Sequence, residues 1–70
     1  MAVSYKKLWK LLIDKEMRKE DLRLAAGLTS TAIAKLGRNE DVSTKILLKI
    51  CRTLNCDIAD IMEIVDTSSN

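Results

Sequence analysis

Five times along this chain, an apolar residue, a capping position and a second apolar residue five places after the first recur in the order that staples the start of an α-helix. The pairs are Val3 with Leu8 around Ser4, Met17 with Leu22 around Arg18, Leu28 with Ile33 around Thr29, Val42 with Leu47 around Ser43, and Cys56 with Ile61 around Asp57. The first backbone N–H groups of a helix have no partner within it. A cap that accepts one of them, with a staple that fixes the incoming chain, therefore defines a start. Helices are expected to begin near Tyr5, Lys19, Ser30, Thr44 and Ile58. Gly27, Gly37 and Asn55 each follow an apolar residue and suit the left-handed conformation that closes a helix. The expected spans are Tyr5 to Lys15, Lys19 to Ala26, Ser30 to Leu36, Thr44 to Leu54 and Ile58 to Val65. Inside them apolar side chains recur at helical spacing, as in Tyr5, Leu8 and Leu12, or Leu47, Ile50, Cys51 and Leu54.

Composition agrees with an all-α, compact five-helix domain. Proline is absent, glycine occurs twice and aromatics make up 3%, so the residues that punctuate and favour strands are scarce. Seventy residues at 47% hydrophobic content suffice for one core. The chain is expected to be a single domain over 1–70 with an ordered core of about 4–65, and the polar stretch Thr67 to Asn70 is expected to fray. Its purely apolar runs, such as Leu11-Leu12-Ile13 and Ile46-Leu47-Leu48, fall far short of the roughly 20 residues of a membrane span or the 7–15 of a signal peptide. A soluble, cytoplasmic protein with no membrane partner is expected.

Catalytic and metal chemistry find little to work with. There is no His, no nucleophile with an evident base and no phosphate-cradling glycine loop, so an enzyme is not expected, nor a cofactor. Two cysteines, Cys51 and Cys56, are too few for a zinc site without His, and they are expected to serve as small core hydrophobes in a reducing compartment. Asp57 and Asp60 read as an acidic helix start that caps itself.

The net charge is only +2, but it is unevenly spread. Residues 1–38 carry nine Lys or Arg against four acids, a net +5; residues 39–70 carry three against six, a net −3. The front half offers a positive field suited to a polyanion.

Within that half, Lys19 to Leu36 supplies two short helices joined by Gly27-Leu28-Thr29, which is the layout of a helix-turn-helix. The run Leu22 to Leu36, with Ala26 before the glycine, Leu28 after it and Ile33 midway along the second helix, resembles the helix-turn-helix of the Cro and phage-repressor (XRE-like) family. Val42-Ser43 with Leu47 to Leu54 resembles that family's fourth helix, and Asp57 to Met62 its fifth, so the likeness extends from about Tyr5 to Ile64. Two positions depart from the pattern. Arg23 stands where the family usually has Ala, a place Arg could fill by snorkelling outward while Leu22, Ala25 and Ala26 pack. Arg18 stands where a Ser or Thr cap is common, a loss that Glu20 and Asp21 offset through the helix dipole.

The resemblance implies a DNA-binding transcriptional regulator, a repressor by family habit, that inserts helix 3 (about 30–36) into the major groove of double-stranded DNA. By family position the base-reading candidates are Thr29, Ser30, Thr31 and Lys35. The phosphate candidates are Arg18, Lys19 and Arg38, with Ser43 and Thr44 at a helix N-terminus. Family members commonly pair with recognition helices about 34 Å apart, so a homodimer or a small protein partner is implied. Each of these residues also has a plainer reading: Thr29, Ser30 and Thr31 as a cap and a solvated first turn, Lys35 and Arg38 as surface charges, Tyr5, Trp9 and Leu12 as a core stripe. The apolar side chains of the first helix wrap more than one face, which leaves a side for a partner. The competing reading is a protein-interaction module, antitoxin-like or an adaptor subunit, whose helix-turn-helix is only a scaffold.

Overall fold

The computed structural model describes residues 2–65. In chain order these form β1 (Ala2–Ser4), α1 (Lys6–Asp14), α2 (Lys19–Ala26), α3 (Ser30–Gly37), α4 (Thr44–Leu54), a single 3-10 turn (Ile58–Asp60) and β2 (Glu63–Val65). The fraying expected of Thr67 to Asn70 lies outside the described residues.

Helix starts follow the staples. Thr29 Oγ1 accepts from the Ala32 N–H at 3.1 Å and Ser43 Oγ from the Ile46 N–H at 3.3 Å, which begin α3 and α4. At α2, Arg18 has no acceptor to offer, and the cap runs in the other direction: Asp21 Oδ2 accepts from the Arg18 N–H at 2.9 Å. The first helix starts one residue later than expected, at Lys6, because Tyr5 takes the cap position and its backbone N–H goes to Asn39 Oδ1 at 3.0 Å.

All four α-helices end in one way. A residue in the left-handed region, Glu16, Gly27, Asn39 or Asn55, is followed by one whose N–H returns to the carbonyl five positions back. The returning bonds are Met17 to Leu12 at 2.9 Å, Leu28 to Arg23 at 2.9 Å, Glu40 to Lys35 at 2.9 Å and Cys56 to Cys51 at 3.0 Å. This is the Schellman closure, which satisfies carbonyls that the helix itself leaves free. Gly27 (φ 68°) and Asn55 (φ 53°) were legible as closers, but Gly37 is not one. It remains inside α3, and Asn39 (φ 57°), two residues on, makes the turn.

The expected fifth helix, Ile58 to Val65, does not form, and the described residues are mostly helical, with four α-helices among them. Asp57 and Asp60 do cap a start, with Asp57 Oδ1 accepting from the Ile58 N–H at 2.8 Å and Asp60 Oδ2 from the Asp57 N–H at 3.0 Å. That cap closes after one turn. Ile61 then drops fully into the core, and the β-branched Ile64 and Val65 extend to pair antiparallel with β1, in the register Ala2 to Val65, Val3 to Ile64 and Ser4 to Glu63. The ladder gives residues 63–65 backbone partners that one more helical turn would otherwise have supplied.

A single core holds these elements together. Tyr5, Leu8, Leu22, Leu36, Ile50 and Ile61 are its fully buried members, drawn from every helix and from the terminal turn. The α4 helix lies against α2, and the 3-10 turn bridges α1 and α4. The core stripe read for α1 holds for Tyr5 and Leu12, whereas Trp9 is half-buried and Ile13 is left 73% exposed. Cys51 is buried, Cys56 half-buried, and both are free thiols.

Candidate nucleic-acid interface

The turn between α2 and α3 sets the face that α3 shows. At Gly27 the backbone adopts φ 68° and ψ 39°, and a Cβ there would meet no atom within 4 Å. The glycine is needed for its conformation, not for room. Leu28 then enters the core, Thr29 caps, and α3 runs with Ala32 and Leu36 buried and Ile33 half-buried beneath it. Those three positions fix the helix's rotation. Ser30, Thr31 and Lys35 consequently all stand exposed on the opposite side, with Thr29 exposed at its start.

Thr29 has spent an acceptor site on the Ala32 N–H, so its hydroxyl retains a proton to donate. Cations flank this face. Arg18 is 88% exposed at its side chain, with Nε 3.8 Å from Asp21 Oδ2, too long and too solvated a pair to hold it. Lys19 lies with Nζ 4.5 Å from the centre of the Trp9 ring and close to the bare Gly37 backbone, in contact with both α1 and the end of α3. Arg38 is exposed but committed, with Nε 2.6 Å from Glu40 Oε2. The Arg38 guanidinium, aided by Lys35, holds the Glu40 carboxyl below its ordinary value. Ser43 caps α4 and Thr44 opens it, both exposed.

Sequence reasoning passed over the device that places Glu40. The Tyr5 hydroxyl, buried to 1% exposure, donates to the Glu40 carbonyl at 3.0 Å, while the Tyr5 N–H binds Asn39 Oδ1. The residue that caps α1 thus pins the connection between α3 and α4. Burial, with Asp41 adding to it, raises the phenol above its ordinary pKa and keeps it a donor. The signal available in the sequence was an aromatic residue with a polar tip in an apolar stripe, which must find a partner when buried. Among the described residues no group of three His, Cys, Asp or Glu side chains is placed to hold a metal ion, and no helix is long and apolar enough to cross a membrane.

A profile of the Cro/C1-type helix-turn-helix DNA-binding domain matches residues 7–67, which include the whole helix-turn-helix. The chain belongs to the Cro/C1-type DNA-binding domain family. Within that family its fold is similar to the crystal structure of the transcriptional regulator VanUg, with a TM-score of 0.89 and 56% sequence identity over 91% of this chain and 85% of that one. A comparison with curated proteins gives no match.

The two positions that depart from the family pattern, Arg23 in α2 and Arg18 at its cap, are each accommodated. Arg23 does not displace the packing between the helices. Its side chain is 28% exposed and its head is bound by Glu20, with Nε to Oε1 at 2.9 Å. Leu22 is buried and Ala26 half-buried as expected, but Ala25 faces solvent, so helix 2 packs on fewer small residues than its sequence suggested. Arg18 is rescued by the Asp21 carboxylate.

Proposed function

We propose that this domain is a sequence-specific transcriptional regulator that binds duplex DNA by laying α3 in the major groove, and that it acts as a repressor. The observation that carries the reading is the rotation of α3: Ala32, Ile33 and Leu36 hold one side down while Thr29, Ser30, Thr31 and Lys35 stand clear on the other. In that pose the hydroxyls donate to or accept from base edges, and Lys35 donates to guanine O6 and N7. Arg18, Lys19 and Arg38, with the α4 start at Ser43 and Thr44, grip phosphates on either side. Hydroxyls discriminate bases weakly, so each half-site supplies modest specificity and phosphate contacts supply most of the affinity. Repression needs no surface beyond this one, because occupying the site is enough to block another protein.

Modest half-site affinity favours a homodimer. Ile13, Leu24, Leu48 and Ile64 are large apolar residues left exposed, and they supply material for contact between copies. The test is selection from a random oligonucleotide pool, followed by titration of the selected duplex at several salt concentrations. The expected result is a two-fold symmetric sequence with half-sites about 34 Å apart and affinity that falls steeply with salt. Sedimentation of the free chain as a monomer, together with no duplex retained from the pool, would replace this reading with that of an adaptor whose helix-turn-helix is a scaffold.

A further inference from the structure

The shared way in which the helices end places particular side-chain pairs together. In a Schellman closure, the residue whose carbonyl accepts the returning bond and the residue whose N–H donates it sit side by side. At α1 that pair is Leu12 and Met17, both packed in the core; at α3 it is Lys35 and Glu40, a cation and an anion that act on each other. At α4 the pair is Cys51 and Cys56, and nothing in the DNA-binding face uses them.

The Cys56 N–H to Cys51 carbonyl bond of 3.0 Å limits how far apart these residues can be. With standard bond lengths at either end and the roughly 120° angle at the carbonyl carbon, the two Cα atoms are separated by no more than about 6.9 Å even with the hydrogen bond straight in line. Disulfides usually span Cα separations of about 4.4–6.8 Å, and this ceiling falls at the upper edge of that span, so the backbone needs little or no movement to allow a bridge. Each thiol also lies near enough to shift the other's titration.

Their surroundings differ in a useful way. Cys51 is buried beneath α4, whereas Cys56 is half-buried and lines an open groove of about 440 Å³ between α1 and the end of α4, bordered by Lys10, Asp14, Lys15 and Asp60. Burial raises both thiols above their ordinary pKa. Asp60 adds to this at both and Asp57 at Cys51, while Lys15 works the other way at Cys56. Reagent from solvent thus meets Cys56 first, and Cys51 waits behind it.

We propose that Cys56 and Cys51 form a dithiol site that reacts with small-molecule disulfides of the glutathione class to give an intrachain bridge, independently of any DNA-binding role. The Cys56 thiolate attacks one sulfur of the small disulfide, forming a mixed disulfide and releasing one small thiol. The Cys51 thiolate then attacks Cys56 Sγ, forming the Cys51–Cys56 bond and releasing the second small thiol. Two protein thiols are oxidised by two electrons, the small disulfide is reduced to two thiols, and the protons from the cysteines end on the released thiols.

The experiment incubates the folded protein with excess oxidised glutathione, traps remaining thiols with iodoacetamide, and reads intact mass and proteolytic peptides. The wild type should lose both free thiols and two hydrogen atoms of mass, yield a crosslinked Cys51–Cys56 peptide from a single chain, and recover fully with dithiothreitol. Cys51→Ser should stop at one glutathione on Cys56, and Cys56→Ser should leave Cys51 unmodified while the protein stays folded. A stable glutathione adduct on the wild type would overturn the proposal. So would a bridge between chains, or two intact thiols after a time in which the urea-unfolded chain has closed its bridge.

Discussion

The two ends of α3 face the same solvent but are prepared differently. At the N-terminal end Thr29, Ser30 and Thr31 are uncharged, and the one hydrogen bond among them, from the Ala32 N–H to Thr29 Oγ1, is internal to the helix start. At the C-terminal end Lys35 and Arg38 share Glu40, which is anchored through its own carbonyl by the Tyr5 hydroxyl. A polar group arriving at the first end meets hydroxyls that carry no ion pair, whereas an anion arriving at the second must take over from a carboxylate already present. On the proposed reading, the first end meets base edges through hydroxyls alone, while at the second both Lys35 on a base and Arg38 on a phosphate bind by exchange of partners.

Substitutions can break or sharpen this contrast, and the largest effect belongs to the anchor beneath the charged end. Leu36→Ala removes a fully buried side chain and should cost about 2–5 kcal/mol in urea unfolding, a large part of what so small a domain has. Changing the charges above it acts on DNA instead. Lys35→Ala with Arg38→Ala should make the dependence of log Kobs on log salt shallower by about 1–2, while Ser30→Ala with Thr31→Ala should leave that slope alone and relax base preference in competition titrations. Equal loss of slope from both pairs would erase the proposed division.

Smaller effects separate the ends by stability. Thr29→Ala should cost about 1 kcal/mol of unfolding free energy through loss of the cap. Gly37→Ala should instead gain up to about 1 kcal/mol, because Gly37 is helical and a Cβ there meets only the Lys19 ammonium at 3.8 Å, an ordinary contact. The smallest change is Glu40→Gln, which frees Arg38 and should tighten DNA binding by a few-fold at low salt. It should also alter the acid limb of stability. Glu40 is held low in the folded state, so its pairing stabilises above the unfolded carboxylate pKa and is lost as pH falls through the folded value. Thermal melts of Glu40→Gln should therefore show a slightly flatter loss of stability on acidification.

What the sequence revealed follows from range. Starts at Thr29 and Ser43 and closures at Gly27 and Asn55 are settled by atoms within a few residues, and each was readable. The outward placing of Ser30, Thr31 and Lys35 follows from the same local geometry. Glu16 was not readable as a closer, since Glu has no preference for the left-handed region, and Asn39, though as suited to it as Asn55, stands two residues beyond Gly37, which local rules favour. Asn39 is held by Tyr5, thirty-four positions away. The stretch Ile58 to Val65 has apolar spacing that serves a helix, and only its pairing with Ala2–Ser4 turns its second half into a strand. The partly intramolecular commitment of Arg38 was hidden for a similar reason: Glu40 lay in an apparent surface loop, and the tether that positions it comes from another helix.

The ribbon of Ala2–Ser4 with Glu63–Val65 brings the first strand beside the last. A short flexible bridge from Val65 to Ala2 would therefore link the two strands without stretching anything. New ends could then be cut at the left-handed turn around Glu16, yielding a circular permutant whose helix-turn-helix remains uninterrupted.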